Sequence, residues 1–227
     1  MNKFEEFLQD SFGEHEPKEI DELILDNLWE NKESFTEEEK SVLEKYTGLI
    51  HLSINNIGLK SLANMPSIKH LDVLSLNNNN LDGNDLDVIN KLYPYLHKIK
   101  LIGNKIENIE NFEKLKNCIK LKKLEVKDNP FSISNNKYKD KLFEILPNLT
   151  AVDKKTKEGD EIDSTDYHNE EGEEYDDEDY NEKNNKEKNN EEKVYKEDEE
   201  EDEEEDEDED EESEKEEEEE DDDEDEI

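Results

Sequence analysis

Arginine is absent from this chain of 227 residues, and cysteine occurs once, at Cys118. Without arginine every cation is a lysine, so bidentate guanidinium contacts with phosphate are missing and direct nucleic-acid binding is disfavoured. A single cysteine excludes an intramolecular disulfide and predicts an intracellular protein. No stretch approaches the roughly 18 consecutive apolar residues of a membrane span, so we expect a soluble protein without membrane partners.

Acidic residues are abundant and unevenly distributed along the chain. Residues 1–153 hold 27 acidic residues and 20 lysines, a net charge of −7, whereas residues 154–227 hold 45 acidic residues and 9 lysines, a net charge of −36. The second segment has too few apolar side chains to offset the entropy of ordering it. The sequence therefore predicts a folded domain over residues 1–153 and a disordered acidic tail over residues 154–227.

A unit of the form L-x-x-L-x-L-x-x-N-x-L recurs three times at a spacing of twenty-five residues. Such a repeat is typical of a leucine-rich-repeat solenoid, in which each unit contributes a short strand to a curved parallel sheet. The asparagines are predicted to form a ladder that bonds backbone groups where the chain leaves each strand. The repeats are Leu71, Leu74, Leu76, Asn79 and Leu81; Leu96, Ile99, Leu101, Asn104 and Ile106; and Leu121, Leu124, Val126, Asn129 and Phe131.

Two degenerate repeats and two caps complete the predicted fold, an α/β solenoid. Leu28 and Ile57 occupy the asparagine position of the first two repeats. Residues 1–16 place four apolar side chains on one side of a helix that ends at Pro17, which predicts an N-terminal helical cap. Thr36-Glu-Glu-Glu39 is a capping box and predicts a helix to about Lys45. Residues 138–153 predict a short helix and half-repeat as the C-terminal cap.

No catalytic or metal-binding cluster is visible in the sequence. The five histidines are dispersed, and Cys118 has no metal-ligand companion, so we expect neither an enzyme nor a cofactor. The run from Asn78 to Gly83 resembles the start of a calcium-binding loop, but Ile89 stands where the bidentate carboxylate belongs. The repeat explains these residues without a metal.

Outward-pointing strand residues form the concave surface through which solenoids commonly bind partners. Their charge runs from acidic through neutral to basic along the repeats. Two interpretations remain open, a solvated sheet surface and a docking site. The candidate partner surface consists of Glu22, Asp26, His51, Asn55, Asn77, Lys98, Lys100, Lys123, Glu125 and Lys127.

The last thirty residues, 198–227, contain 27 acidic side chains. An extended chain of about 3.4 Å per residue then carries about one charge per 4 Å. Single-stranded DNA offers one charge per about 3.4 Å, so the segment should attract proteins that bind polyanions, histones above all. A purely solubilising role is the alternative.

The chain resembles the acidic leucine-rich nuclear phosphoprotein 32 family along essentially its whole length. The resemblance rests on the segments 22–27, 52–66, 74–79 and 101–106, on the cap at 146–149, and on the acid run that follows. It implies a non-enzymatic histone chaperone and phosphoprotein, located in the nucleus with a cytoplasmic pool. It also implies a second possibility, a repeat-domain inhibitor of protein phosphatase 2A or of a histone acetyltransferase complex.

Three features of the tail bear on these expectations. Ser213, with Glu216 three residues later, is a candidate phosphosite. The family often ends in a basic import signal, whereas this chain ends in acidic residues before Ile227 and its only faintly basic run is 154–157. The tail also leaves the repeats beside Lys123 and Lys127, so we expect that it can fold back onto the lysine strands.

Overall fold

The computed structural model describes residues 3–13 and 15–162, and this part of the chain contains a six-stranded parallel sheet. The strands lie side by side in chain order, which confirms the predicted leucine-rich-repeat sheet. They are β1 (Glu22–Ile24), β2 (His51–Ser53), β3 (Val73–Ser75), β4 (Lys98–Lys100), β5 (Lys123–Glu125) and β6 (Ala151–Val152).

The central residue of each strand points into the core. Leu52, Leu74, Ile99 and Leu124 are paired in register across neighbouring strands, and each is at most 1% exposed. The inner repeat positions Leu76, Leu101 and Val126, two residues further along, are also buried. The apolar periodicity of the repeats therefore forms one continuous core under the sheet.

Short helical segments return the chain from one strand to the next, except between β2 and β3. The predicted capping box is confirmed, because Thr36 Oγ1 accepts the Glu39 amide at 3.2 Å and a Glu39 carboxylate oxygen accepts the Thr36 amide at 2.9 Å. The helices are α1 (Lys3–Phe12), α2 (Glu37–Leu43), α3 (Asp87–Leu92), α4 (Pro130–Ser134) and α5 (Tyr138–Ile145), with 3₁₀ turns at Pro17–Glu19 and Ile109–Leu115.

The three ladder asparagines are buried and tie each repeat to the one before it. Asn79 donates to the carbonyls of Ile54 and Leu76 at 2.8 and 3.1 Å, and its side-chain oxygen accepts the amides of Ile57 and Leu59 at 3.2 and 3.0 Å. Asn104 and Asn129 make equivalent bonds one and two repeats later. Each amide thus satisfies backbone groups that the short strands leave unpaired.

The third residue after each of the first five strands adopts a left-handed backbone conformation. These residues are Asn27, Asn56, Asn78, Gly103 and Asp128, with φ between 54° and 68°, and Asp153, directly after β6, has a φ of 48°. Asparagine, aspartate and glycine tolerate this conformation best. The regular recurrence of these three residue types is a further signal for the turn in the sequence.

The N-terminal helix covers the open end of the core, as a solenoid requires. Leu8 is 1% exposed, the rings of Phe4 and Trp29 lie 5.3 Å apart, and those of Phe12 and Tyr46 lie 6.0 Å apart. The helix ends at Phe12 rather than at Pro17. Gly13 takes a positive φ of 61° and its amide bonds the carbonyl of Gln9, which stops the helix one turn earlier than the proline.

At the other end, α5 and β6 form the C-terminal cap, and the described chain continues past residue 153 to Ile162. Asp153 and Lys154 both have positive φ, and they reverse the chain so that Lys155 pairs antiparallel with Val152. Lys155 then pairs with Glu161, which closes a small hairpin. Residues 154–162, which the sequence placed in the tail, therefore belong to the described structure, while the proposed disorder of the later residues lies outside it.

Candidate partner-binding surfaces

Two rows of side chains point away from the core and form what we call the outer face of the sheet. They follow directly from the strand register, since neighbouring strands lie about 4.8 Å apart and align equivalent positions. The first row is Glu22, His51, Val73, Lys98, Lys123 and Ala151, and the second is Ile24, Ser53, Ser75, Lys100 and Glu125.

The N-terminal end of the outer face is open and mixed in character. Ile24 is 60% exposed, and His51 lies with its Nδ1 3.9 Å from a carboxylate oxygen of Glu22. A shallow cavity of about 180 Å³ joins these residues to the serines and asparagines of the next two strands and to Lys100. This end could accept a polar partner segment across several strands.

Asp26, Asn55 and Asn77 belong to a hydrogen-bonded network that links successive repeats beside the outer face. Asp26 accepts the amide of Asn55 and the hydroxyl of Ser53, each at 2.8 Å. Asn55 in turn accepts the amide of Asn77 at 2.7 Å, and Asn77 accepts the amide of Ile102 at 2.9 Å. These three candidate residues therefore hold the backbone together, and their polar atoms are largely used within the protein.

Lys98 and Glu125 differ from the expectation that they lie open to a partner. Their side chains are 8% and 9% exposed, and Lys98 Nζ lies 2.8 Å from a carboxylate oxygen of Glu125. Burial makes mutual pairing necessary, because an isolated charge there would lose its hydration without compensation. The sequence could not reveal this pair, since it joins the two outer rows diagonally across neighbouring strands.

The remaining lysines of the candidate surface lie at its C-terminal end. Lys100 and Lys123 are partly exposed and Lys127 is exposed. The hairpin after β6 brings Ile162 to the same end, where it shares a small cavity of about 10 Å³ with Lys98, Lys123 and Glu125. Ile162, the last described residue, therefore lies beside these lysines, and the acidic run, its predicted fold-back and Ser213 lie outside the described residues.

Cys118 is placed where it cannot serve as a nucleophile. It is 2% exposed, and burial raises the pKa of its thiol to about 12, so the thiol stays protonated at neutral pH. Among residues 3–13 and 15–162, no cluster of three or more histidine, cysteine or acidic side chains is arranged to hold a metal. Within the same described part, no helix has the length and apolar character needed to cross a membrane.

The parallel sheet, the buried asparagine ladder and the polar outer face define a leucine-rich-repeat protein. Residues 29–178 match the family described as leucine-rich repeat, and the chain belongs to that family. It is 38% identical over 159 residues to an acidic leucine-rich nuclear phosphoprotein 32-related protein of Plasmodium falciparum (isolate 3D7), which confirms the resemblance seen in the sequence. That match covers 70% of this chain and 56% of the relative, so the chain spans little more than half of the relative's length.

Two solved structures are similar to parts of the chain. The crystal structure of the Drosophila melanogaster SNF/U2A′ complex contains a chain that is 22% identical, with a TM-score of 0.47, covering 63% of this chain and 75% of that one. The structure of the Chaetomium Mex67:Mtr2 subunits contains one that is 24% identical, with a TM-score of 0.35, covering 38% of this chain and 56% of that one.

Proposed function

We propose that this protein is a non-enzymatic binder of basic proteins and acts on histones as an acidic chaperone. The observation that carries the proposal is the division of charge. A folded repeat domain of net charge −7 is joined to residues 154–227 with a net charge of −36. Dense acidic charge attracts lysine- and arginine-rich partners strongly and at long range. The name of the Plasmodium falciparum relative, an acidic leucine-rich nuclear phosphoprotein 32-related protein, supports a role in the nucleus.

In this proposal the repeat domain orients the partner while residues 198–227 neutralise its charge. The open N-terminal end of the outer face, with Glu22 and the exposed Ile24, supplies the contacts that orient the partner. The faintly basic run 154–157 lies in the hairpin after β6, where Lys155 pairs with Val152 and Glu161.

The test compares the full chain with a chain ending at Ile162, the last described residue. Pulldown of core histones across a salt series should show strong retention by the full chain that falls steeply with salt, because the contacts are ionic. The shortened chain should retain far less histone than the full chain at about 0.15 M salt, where charges more than about 8 Å apart are largely screened from each other. Equal retention by the two chains would contradict the proposal.

The alternative is a regulatory inhibitor whose outer face contacts protein phosphatase 2A or a histone acetyltransferase complex. The observation that favours it is the uneven outer face, acidic near Glu22 and lysine-rich near Lys123 and Lys127. The chain ending at Ile162 separates the two functions, because full inhibition of phosphatase 2A without the acid run supports the alternative. Charge reversal at Lys127 should then weaken inhibition, and an unchanged inhibition constant would count against it.

A further inference from the structure

The N-terminal cap carries an apolar groove that the outer face does not include. It has a volume of about 510 Å³ and lies between α1 and the segment that leads into α2. Phe7 is 41% exposed within it, although a large aromatic side chain is normally covered. The groove is lined by Phe4, Phe7, Leu28, Trp29, Thr36, Glu38 and Glu39.

The floor of the groove is built rigidly from aromatic rings. Trp29 packs against Phe4 at 5.3 Å and edge-on against Phe35 at 5.8 Å. Lys32 Nζ lies 4.4 Å from the centre of the Trp29 ring and is paired with Glu39 at 2.6 Å. Lys32 and Glu39 form an ion pair and are nearly buried. The groove is therefore preformed and does not require rearrangement to open.

The first repeat creates this groove by departing from the repeat pattern. Leu28 occupies the position that holds a buried asparagine in the third, fourth and fifth repeats, and it is half-buried in the groove wall. Its side chain therefore contributes apolar surface where the later repeats have a backbone-bonding amide. The departure of the first repeat from the consensus therefore adds apolar surface that a partner can contact.

The surroundings of the groove are acidic. Residues 3–12 and 29–44 together carry nine acidic side chains and three lysines. Several of these acids are paired with lysines, among them Glu5 with Lys45, Glu33 with Lys60 and Glu39 with Lys32. Glu38 is exposed at the rim, and hydrogen bonds from its own backbone amide and from Thr36 lower the pKa of its carboxyl group, so it is ionised at neutral pH. An anionic occupant, such as the chain's own acidic tail, would be repelled here.

We propose that the groove between α1 and α2 docks a basic segment of a partner protein through an apolar side chain flanked by lysine or arginine. The aromatic floor takes the apolar anchor, and Glu38 faces the flanking cations. This is the pattern of an amphipathic segment lying in a groove, with the anchor supplying affinity and the rim charge supplying selectivity. The proposal does not depend on histone binding by the acidic tail.

Trp29 makes the proposal directly testable, because it is the only tryptophan in the chain. The probe is an amphipathic peptide of alternating leucine and lysine blocks, titrated into the full chain in about 0.15 M salt. Its matched control has the same lysines with serine in place of leucine. The leucine peptide should shift and saturate Trp29 emission, whereas the serine peptide should bind the tail and leave Trp29 emission unchanged.

Two variants locate the effect. Phe7→Ser should weaken the Trp29-detected affinity about tenfold, the loss expected for removing a buried aromatic contact. Ile133→Ser, at a residue 76% exposed on α4, is its matched control and should leave the affinity unchanged. Glu38→Gln should weaken binding about threefold and reduce its salt dependence, because it removes a rim charge. Glu113→Gln, at an exposed carboxylate of the Ile109–Leu115 turn, should have no effect.

The outcomes separate the groove from the tail. An equal emission change with the leucine and serine peptides, or an unchanged affinity in Phe7→Ser, would overturn the proposal. If Phe7→Ser disturbs the far-ultraviolet circular dichroism of the cap, Glu38→Gln decides alone, since its side chain is exposed at the rim. Loss of histone retention on removing the tail leaves this result unaffected, so the two proposals fail independently.

Discussion

Asn79 is the most connected of the ladder asparagines, and its replacement by alanine tests how the repeats are held together. Its side chain is 3% exposed and makes four hydrogen bonds of 3.2 Å or less to the backbone, two to carbonyls and two from amides, and a longer one of 3.3 Å to the carbonyl of Asn77. Three of these bonds reach Ile54, Ile57 and Leu59 in the preceding repeat. Alanine removes all of them and leaves buried backbone groups without partners.

The expected cost follows from the number of bonds lost. A buried backbone hydrogen bond contributes about 1 kcal/mol net, and more when its partner is left unsatisfied, so Asn79→Ala should lower the free energy of unfolding by about 4 kcal/mol. Asn104→Ala removes bonds to Leu76, Leu101 and Leu81 and should cost about 3 kcal/mol. Both losses are large beside the 5–15 kcal/mol or so that stabilises a typical domain.

Urea unfolding of the full chain, followed by far-ultraviolet circular dichroism, measures these changes. Asn108→Ala is the control, because Asn108 is exposed and its side chain does not cap the following 3₁₀ turn. Trp29 emission reports the first repeat separately, and a transition at the same urea concentration by both probes would mark cooperative unfolding. A loss below about 1 kcal/mol for Asn79→Ala, or a loss equal to that of Asn108→Ala, would refute the ladder as a main source of stability.

Three further changes probe the caps and the core. Gly48→Ala should cost about 2 kcal/mol by urea unfolding, because the new Cβ would lie 2.2 Å from the carbonyl oxygen of Lys18; an unchanged midpoint would contradict this contact. Lys32→Met should cost about 3 kcal/mol by leaving Glu39 buried without its partner, and a double variant with Glu39→Gln should cost less than the sum of the single changes. Burial raises the pKa of the Cys118 thiol from 9.0 to about 12, so the thiol should resist iodoacetamide at pH 8 and react on unfolding. Its contribution to stability should fall as pH rises from about 9 towards 12. Fast labelling of the folded chain would refute its burial.

The sequence was sufficient to predict the features that recur or that act locally. The three asparagines repeat at equal spacing, and the capping box at Thr36 involves residues only three positions apart, so both are readable without a structure. The sequence predicts that α1 ends at Pro17, whereas it ends at Phe12, because a glycine such as Gly13 commonly stops a helix.

The outer face was harder to predict because its contacts join residues more than twenty positions apart. Lys98 and Glu125 are separated by a full repeat, and only the strand register places them together. The sequence predicts Asp26, Asn55 and Asn77 as outward-pointing members of the candidate partner surface, whereas each accepts a backbone amide from the next repeat. Alternation of side chains predicts which way a residue points, but it does not reveal whether a neighbour already occupies its polar atoms.

The constant strand register has a consequence for how the outer face can change. Paired positions are separated by as few as 22 residues, from Ser53 to Ser75, and by as many as 29, from Ile24 to Ser53. The segments that connect the strands take up the whole difference. Residues gained or lost in them leave equivalent positions on neighbouring strands of the outer face about 4.8 Å apart. The spacing of the contacts that a partner meets on the outer face is therefore independent of the length of chain between the strands.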